Sequence, residues 1–194
     1  MKNFCIAALL VVTAGFCFGQ APKSSLNIPT TDVYVGFIAT FPDYGENFNS
    51  YRFDGFEGAF SKALTSRIYG IASGSFVFGS TYSVKEFSGT VGAKVNVLTG
   101  KFRPYATGQF GYARLSSSGG PAFNGMYGND HHPPIPKGSS VVEDGFTYRM
   151  GIGGDLQVTP KIYVRLLQWD VQPQPWGRHT PYYYNFSSGV GYRF

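Results

Sequence analysis

Past residue 19 the chain contains no cysteine; its two, Cys5 and Cys17, both lie near the N-terminus. No disulfide can therefore staple the remainder, so an exported domain made from it must be held by packing and hydrogen bonding alone. Charge is scarce as well. Asp, Glu, Lys and Arg make up 14% of the 194 residues, against about a quarter in a typical water-soluble domain. The net charge of +5 is thinly spread, with no two Lys or Arg adjacent, which leaves nucleic-acid binding without a basic footprint. Beyond residue 18 no apolar run is long enough for a spanning helix, which needs about 20 residues. No segment keeps a helical period beyond two turns, so helical bundles are excluded too.

The one long apolar run is FCIAALLVVTAGFCF (4–18), preceded by Lys2. It has the length of a secretory h-region, and Cys17-Phe18-Gly19 supplies a small-x-small cleavage site. Residues 1–19 therefore read as a signal peptide, 20–31 as a lead-in, and 32–194 as one domain. If that domain enters a membrane, only a closed barrel can hold it there, because every backbone group in lipid needs a partner.

What the chain does have is aromatic residues, 18% of it, and 26 glycines. They are arranged with a period of two, the side-chain period of a β-strand. In the C-terminal YNFSSGVGYRF, one parity is Tyr184, Phe186, Ser188, Val190, Tyr192 and Phe194; the other is Asn185, Ser187, Gly189, Gly191 and Arg193. Eight such segments recur, at 32–41, 52–62, 68–79, 84–98, 103–116, 145–158, 162–172 and 182–194. Most reach ten residues, which exceeds a soluble strand of about 5–6 and matches the roughly 9–11 needed to cross a bilayer at a tilt. Short links at 63–67, 99–102 and 159–161 alternate with longer ones at 42–51, 117–144 and 173–181, the link at 80–83 being short where a long one belongs. Short turns on one rim and long loops on the other are the habit of outer-membrane barrels.

Period two alone does not say which face is inside. The polar row is rich in Gly, Ser and Thr, which suits a crowded narrow lumen better than a solvated face. Phe146, Tyr148, Tyr182, Tyr184, Tyr192 and Phe194 fall near strand ends, as in an interfacial girdle. The fold class is therefore all-β: an eight-stranded antiparallel up-and-down transmembrane barrel, greasy side out. An even strand count puts both termini on the short-turn, periplasmic side.

The terminal Val190-x-Tyr192-x-Phe194 resembles the C-terminal signal by which outer-membrane proteins are recognised for barrel assembly. The stretches FRPYATGQFGYARLS (102–116) and IYVRLLQWDV (162–171) are similar to the fifth and seventh strands of the OmpA-like and OmpX-like eight-stranded barrels. The resemblance covers about 32–194. It implies an integral outer-membrane protein in contact with lipid and lipopolysaccharide, handled by the barrel-assembly machinery through its last strand. OmpA itself continues into a peptidoglycan-binding domain, and this chain stops at the barrel, so no wall-anchoring role is expected.

With the faces so assigned, the lumen receives Glu57, Glu86, Asp155 and Asp170 against Lys94, Arg149, Arg193 and Arg165. A balanced interior predicts paired charges, since unpaired buried charge is costly. Arg165 has the wrong parity relative to Gln168 and Asp170, so a bulge near Leu166–Leu167 is needed to turn it inward; otherwise it snorkels at the rim. Asp130, His131 and His132 on the longest loop lack a spaced partner and predict no metal site. His179 is followed by Thr180 and Pro181, so the His-x-Ser-Asn pattern of lipid A deacylating barrels is absent, and no predictive spacing ties it to Asp170 or Ser187. No enzyme and no cofactor are expected. Three functions stay open: a plugged barrel displaying loops, a narrow porin-like channel, and a soluble exported barrel holding a small hydrophobic ligand.

Overall fold

In the computed structural model, residues 31–43, 52–79, 84–118, 140–174 and 182–194 are described. The expected signal peptide and the expected lead-in up to residue 30, and the Asp130, His131, His132 and His179 positions, lie outside them. The described residues form eight strands: β1 (Thr31–Asp43), β2 (Phe53–Ala63), β3 (Ile68–Gly79), β4 (Val84–Asn96), β5 (Phe102–Ser118), β6 (Ser140–Gln157), β7 (Ile162–Pro173) and β8 (Tyr182–Arg193). Each pairs antiparallel with its sequence neighbours, and β1 closes on β8, so the sheet is a closed barrel without an edge. None of the described residues forms a helix long and apolar enough to cross a membrane, a statement that does not bear on strands.

The alternation in sequence becomes two faces. Outward-pointing apolar side chains are open to the surroundings on every strand: Val35 at 69% exposed, Phe56 at 68%, Phe110 at 65% and Phe146 at 82%. Phe37, Phe56, Phe76 and Phe87 stand side by side across β1–β4, because the register pairs Phe37 with Phe56, Phe56 with Phe76, and Phe76 with Phe87. Edge-to-face contacts lace this surface, Phe41 with Phe186 at 5.7 Å, Tyr112 with Phe146 at 6.0 Å and Tyr192 with Phe194 at 5.0 Å. Of the expected girdle residues, Phe146, Tyr148, Tyr182, Tyr192 and Phe194 are exposed, and Tyr184 is half-covered.

Several strand ends differ from the sequence expectation. β6 begins at Ser140 instead of 145 and β5 runs to Ser118, so residues 117–118 and 140–144 of the expected 117–144 loop are strand. Backbone ladder bonds carry the pairing past the point where side-chain alternation fades. β4 stops at Asn96 instead of 98, because Val97 turns its N–H to the carbonyl of Pro104 at 2.8 Å. At the far end of β7, expected to open into a loop at 173, Pro173 and Gln174 are instead buried at the barrel mouth, where Thr147 Oγ1 donates to the Pro173 carbonyl at 2.8 Å.

Candidate functional site: the charged lumen

The polar row of each strand points into the barrel, and its charges meet there. Lys94 on β4 bonds Asp155 on β6 at 2.5 Å. Asp155 also receives Arg165 of β7 at 3.3 Å, Arg165 approaches Glu57 of β2 at 3.7 Å, and Glu57 receives Arg149 of β6 at 2.6 Å. Arg149 closes the series on Asp170 of β7 at 2.5 Å. The six side chains thus alternate in sign, Lys94, Asp155, Arg165, Glu57, Arg149, Asp170, and all lie within 3% of complete burial. Such a chain leaves each interior charge facing two opposite ones, the arrangement that best offsets the desolvation of buried ions.

Arg165 joins this ladder through a break in the strand. The register of β7 against β8 shifts between Arg165 and Gln168, and both Leu166 (50%) and Leu167 (52%) face outward. Two consecutive residues on one face is the signature of a bulge; it re-phases β7 so that Arg165, Gln168 and Asp170 all point inward. Without it, either Arg165 or the Gln168–Asp170 pair would face outward.

The remaining two of the eight lumen charges stand apart. Arg193 approaches Asp32 at 3.7 Å on the turn side. Glu86, near the loop side, accepts a hydrogen bond from Gln174 Nε2 at 2.8 Å and makes no ion pair among the described residues. Asp32 is thus a lumen charge that the sequence reading passed over, although its parity with Tyr34 was there to find it.

Sequence reasoning also passed over the aromatic lining. Tyr34, Tyr69, Tyr105, Tyr163 and Tyr183 are inward and buried. The Arg165 guanidinium lies 3.7 Å from the Tyr34 ring centre, Lys94 Nζ lies 4.1 Å from Tyr105, and Arg193 lies 4.5 Å from Tyr163. A ring face is a soft counter-charge for a desolvated cation, so each of these three cations has an acid on one side and a tyrosine on another. Tyr105 OH donates to Gln168 Oε1 at 2.8 Å, and Gln168 Nε2 donates to both Asp170 oxygens. Both oxygens of Asp170 are therefore occupied, and Ser187 is buried in the same lumen. On the β3–β5 wall, Ser73 and Thr90 both donate to Gln109 Oε1, at 2.6 and 2.9 Å.

The rings fit because small residues stand opposite them. A Cβ on Gly191 would fall into the Tyr163 ring, and one on Gly151 would collide with the Asp170 carboxylate. Glycine at these inward positions creates the room that a narrow barrel lacks. At the loop-side mouth, Thr40 Oγ1 donates to Asn185 Oδ1 at 2.7 Å, Asn185 Nδ2 donates to Gln172 at 3.1 Å, and the Phe53 and Tyr183 rings sit 6.2 Å apart. Buried inward side chains line the lumen from Arg193 near the turns to Gln174 at the opposite mouth. No group of three or more His, Cys, Asp or Glu able to hold a metal occurs among the described residues.

No protein-family model and no curated protein matches the sequence. Solved structures do match in fold. Neisserial surface protein A aligns with a TM-score of 0.65 at 12% identity, over 84% of this chain and 97% of that one. Ail, the attachment invasion locus protein of Yersinia pestis, in complex with the heparin analogue sucrose octasulfate, aligns at 0.56 and 13% over the same shares. The N-terminal β-barrel domain of Pseudomonas aeruginosa OprF aligns at 0.51 and 16%, again over 84% and 97%. The chain therefore has the closed eight-stranded antiparallel fold of these outer-membrane barrels.

Proposed function

We propose that this chain is an integral outer-membrane barrel whose lumen is plugged by its own side chains, and whose role is structural or surface-interactive, exercised by the segments displayed at its loop-side rim. One observation carries the reading: the apolar row looks outward on every strand while the ions are inside. A continuous exposed apolar belt of this size is a liability in water and the normal surface of a protein in lipid. A soluble barrel with a hydrophobic ligand inside would need the reverse arrangement, an apolar lumen and a polar exterior.

In this reading the short turns and both termini face the periplasm, and the outer belt meets lipid and lipopolysaccharide. The last strand, with Val190 (50%), Tyr192 (38%) and Phe194 (66%) open on the outer face, is the part offered to the barrel-assembly machinery. Plugging is supported by the ladder of ion pairs, because eight strands leave an interior only wide enough for side chains. No catalysis is assigned: lipid A from expressing cells should keep its full set of acyl chains.

Two measurements test the proposal. The full chain should remain in the membrane pellet through carbonate extraction and migrate differently on a gel before and after boiling; release by carbonate alone would overturn the membrane assignment. In planar bilayers it should show no steady conductance; a reproducible single-channel current would replace the plug with a narrow channel.

A further inference from the structure

The three short turns are versions of one another. Residues 64–68 read LTSRI, 98–102 read LTGKF and 158–162 read VTPKI: an apolar residue, Thr, a variable residue, a cation, and an apolar residue. In the first and third, the Thr hydroxyl oxygen caps the turn. Thr65 Oγ1 accepts the N–H of Ile68 at 3.0 Å, and Thr159 Oγ1 accepts that of Ile162 at 2.9 Å.

The cation occupies the same place each time. It precedes the first residue of β3, β5 or β7, and its carbonyl is held by the final N–H of the next odd-to-even hairpin. Asn96 donates to Arg67 O at 2.8 Å, Gln157 to Lys101 O at 2.8 Å, and Arg193 to Lys161 O at 2.7 Å. Equivalent backbone pins put Arg67, Lys101 and Lys161 at one level of the rim, and all three are exposed.

Each is flanked by apolar groups that open outward: Leu64 (68%) and Ile68 (40%), Leu98 and Phe102, Val158 and Ile162. A greasy residue on either side of a cation suits the boundary between hydrocarbon and headgroup. Lys62, also exposed, lies just inside the first turn.

No exposed acid opposes them among the described residues. Among the described residues the turn-side acids, Asp32 and Asp155, are both buried in the lumen. The thirty residues ahead of β1 contain neither Asp nor Glu, so wherever they run they cannot neutralise this rim. Even a terminal carboxylate at Phe194 would leave most of the excess. The loop-side rim differs, for there Arg52 pairs with Asp54 at 2.7 Å, and Lys85 and Arg114 share the surface with Asp43, Glu143 and Asp144.

We infer that the repeated turns form a cationic collar that binds the phosphate groups of anionic phospholipids in the leaflet on the turn side. This rests on the membrane reading above. The occupant is a lipid headgroup because the cations sit at the lip of the apolar belt, spaced around the barrel instead of gathered into one patch.

The test measures the association of spin-labelled phosphatidylglycerol, relative to spin-labelled phosphatidylcholine, with the full chain in phosphatidylcholine bilayers at low ionic strength. A cation at an anionic bilayer surface favours binding about fivefold, so phosphatidylglycerol should be preferred by roughly that factor. The preference should fall to near parity in R67Q/K101Q/K161Q, survive in R67K/K101R/K161R, and change little in R52Q/K85Q/R114Q, which removes three cations from the opposite rim. No preference in the unmodified chain, or equal loss from both rims, overturns the collar. Absence of motionally restricted lipid of either kind overturns the membrane reading, and the collar with it.

Discussion

Replacing Arg149 by Met is the sharpest probe of the lumen. Arg149 is 1% exposed and is the shared partner of Glu57 and Asp170, at 2.6 and 2.5 Å. The substitution keeps much of the volume but leaves the ladder with one excess negative charge. Glu57 retains Arg165 at 3.7 Å, whereas Asp170 keeps only neutral donors such as Gln168. Breaking a buried pair by removing one partner costs about 3–5 kcal/mol. With a urea m-value of about 2 kcal/mol/M, the unfolding midpoint in micelles should drop by roughly 2 M. The double substitution R149M/D170N removes the end pair together and leaves Lys94, Asp155, Arg165 and Glu57, a balanced series of four. It should therefore be more stable than R149M, by up to about 3 kcal/mol, the upper end of the coupling between contacting residues. If R149M shifts the midpoint by under about 0.5 M, or if D170N adds to the damage instead of relieving it, the ladder does not govern the lumen as described.

Three other substitutions test separate parts of the structure. Gly191→Ala places a methyl group where the Tyr163 ring lies, so it should lower stability by about 1–3 kcal/mol through overpacking, and Tyr163→Leu in the same chain should recover part of the loss in a chemical-unfolding comparison. Deleting Leu166 removes the extra residue of the bulge and leaves Arg165, Gln168 and Asp170 inward in strict alternation with Leu167 and Trp169; the heat-modifiable folded band should be retained. Phe194→Ala forfeits an edge-to-face contact with Tyr192 at 5.0 Å, worth about 0.5–1.5 kcal/mol, at a position 66% exposed, so refolded protein should be nearly as stable as the parent. Surface yield in cells should nonetheless fall if Phe194 is part of the assembly signal, and a loss of both in proportion would assign it a purely structural role.

How much of this could be read from the chain alone varies by element. In β6 the parity of Phe146, Tyr148, Met150 and Ile152 against Thr147, Arg149 and Asp155 assigned each of these side chains to its face. In β7 the same rule fails for Arg165, and the failure itself pointed to the bulge. The ends of β5 and β6 were misplaced because ladder hydrogen bonds do not need a patterned side chain. Pro173 and Gln174 looked like loop residues, and only the curvature of the closed sheet brings Gln174 within 2.8 Å of Glu86, 88 residues away.

The period of two, the run of long apolar rows and the spacing of turns together determine strand number and, away from the β7 bulge, the lumen-facing set, because the pleat of a regular strand sends alternate residues to opposite faces. Partner choice is another matter. That Arg149 reaches Glu57 across the lumen and that Glu86 has a glutamine instead of a cation follow from shear and closure, which set the height of each strand against strands it does not adjoin in sequence. Those heights exist only once β1 has met β8.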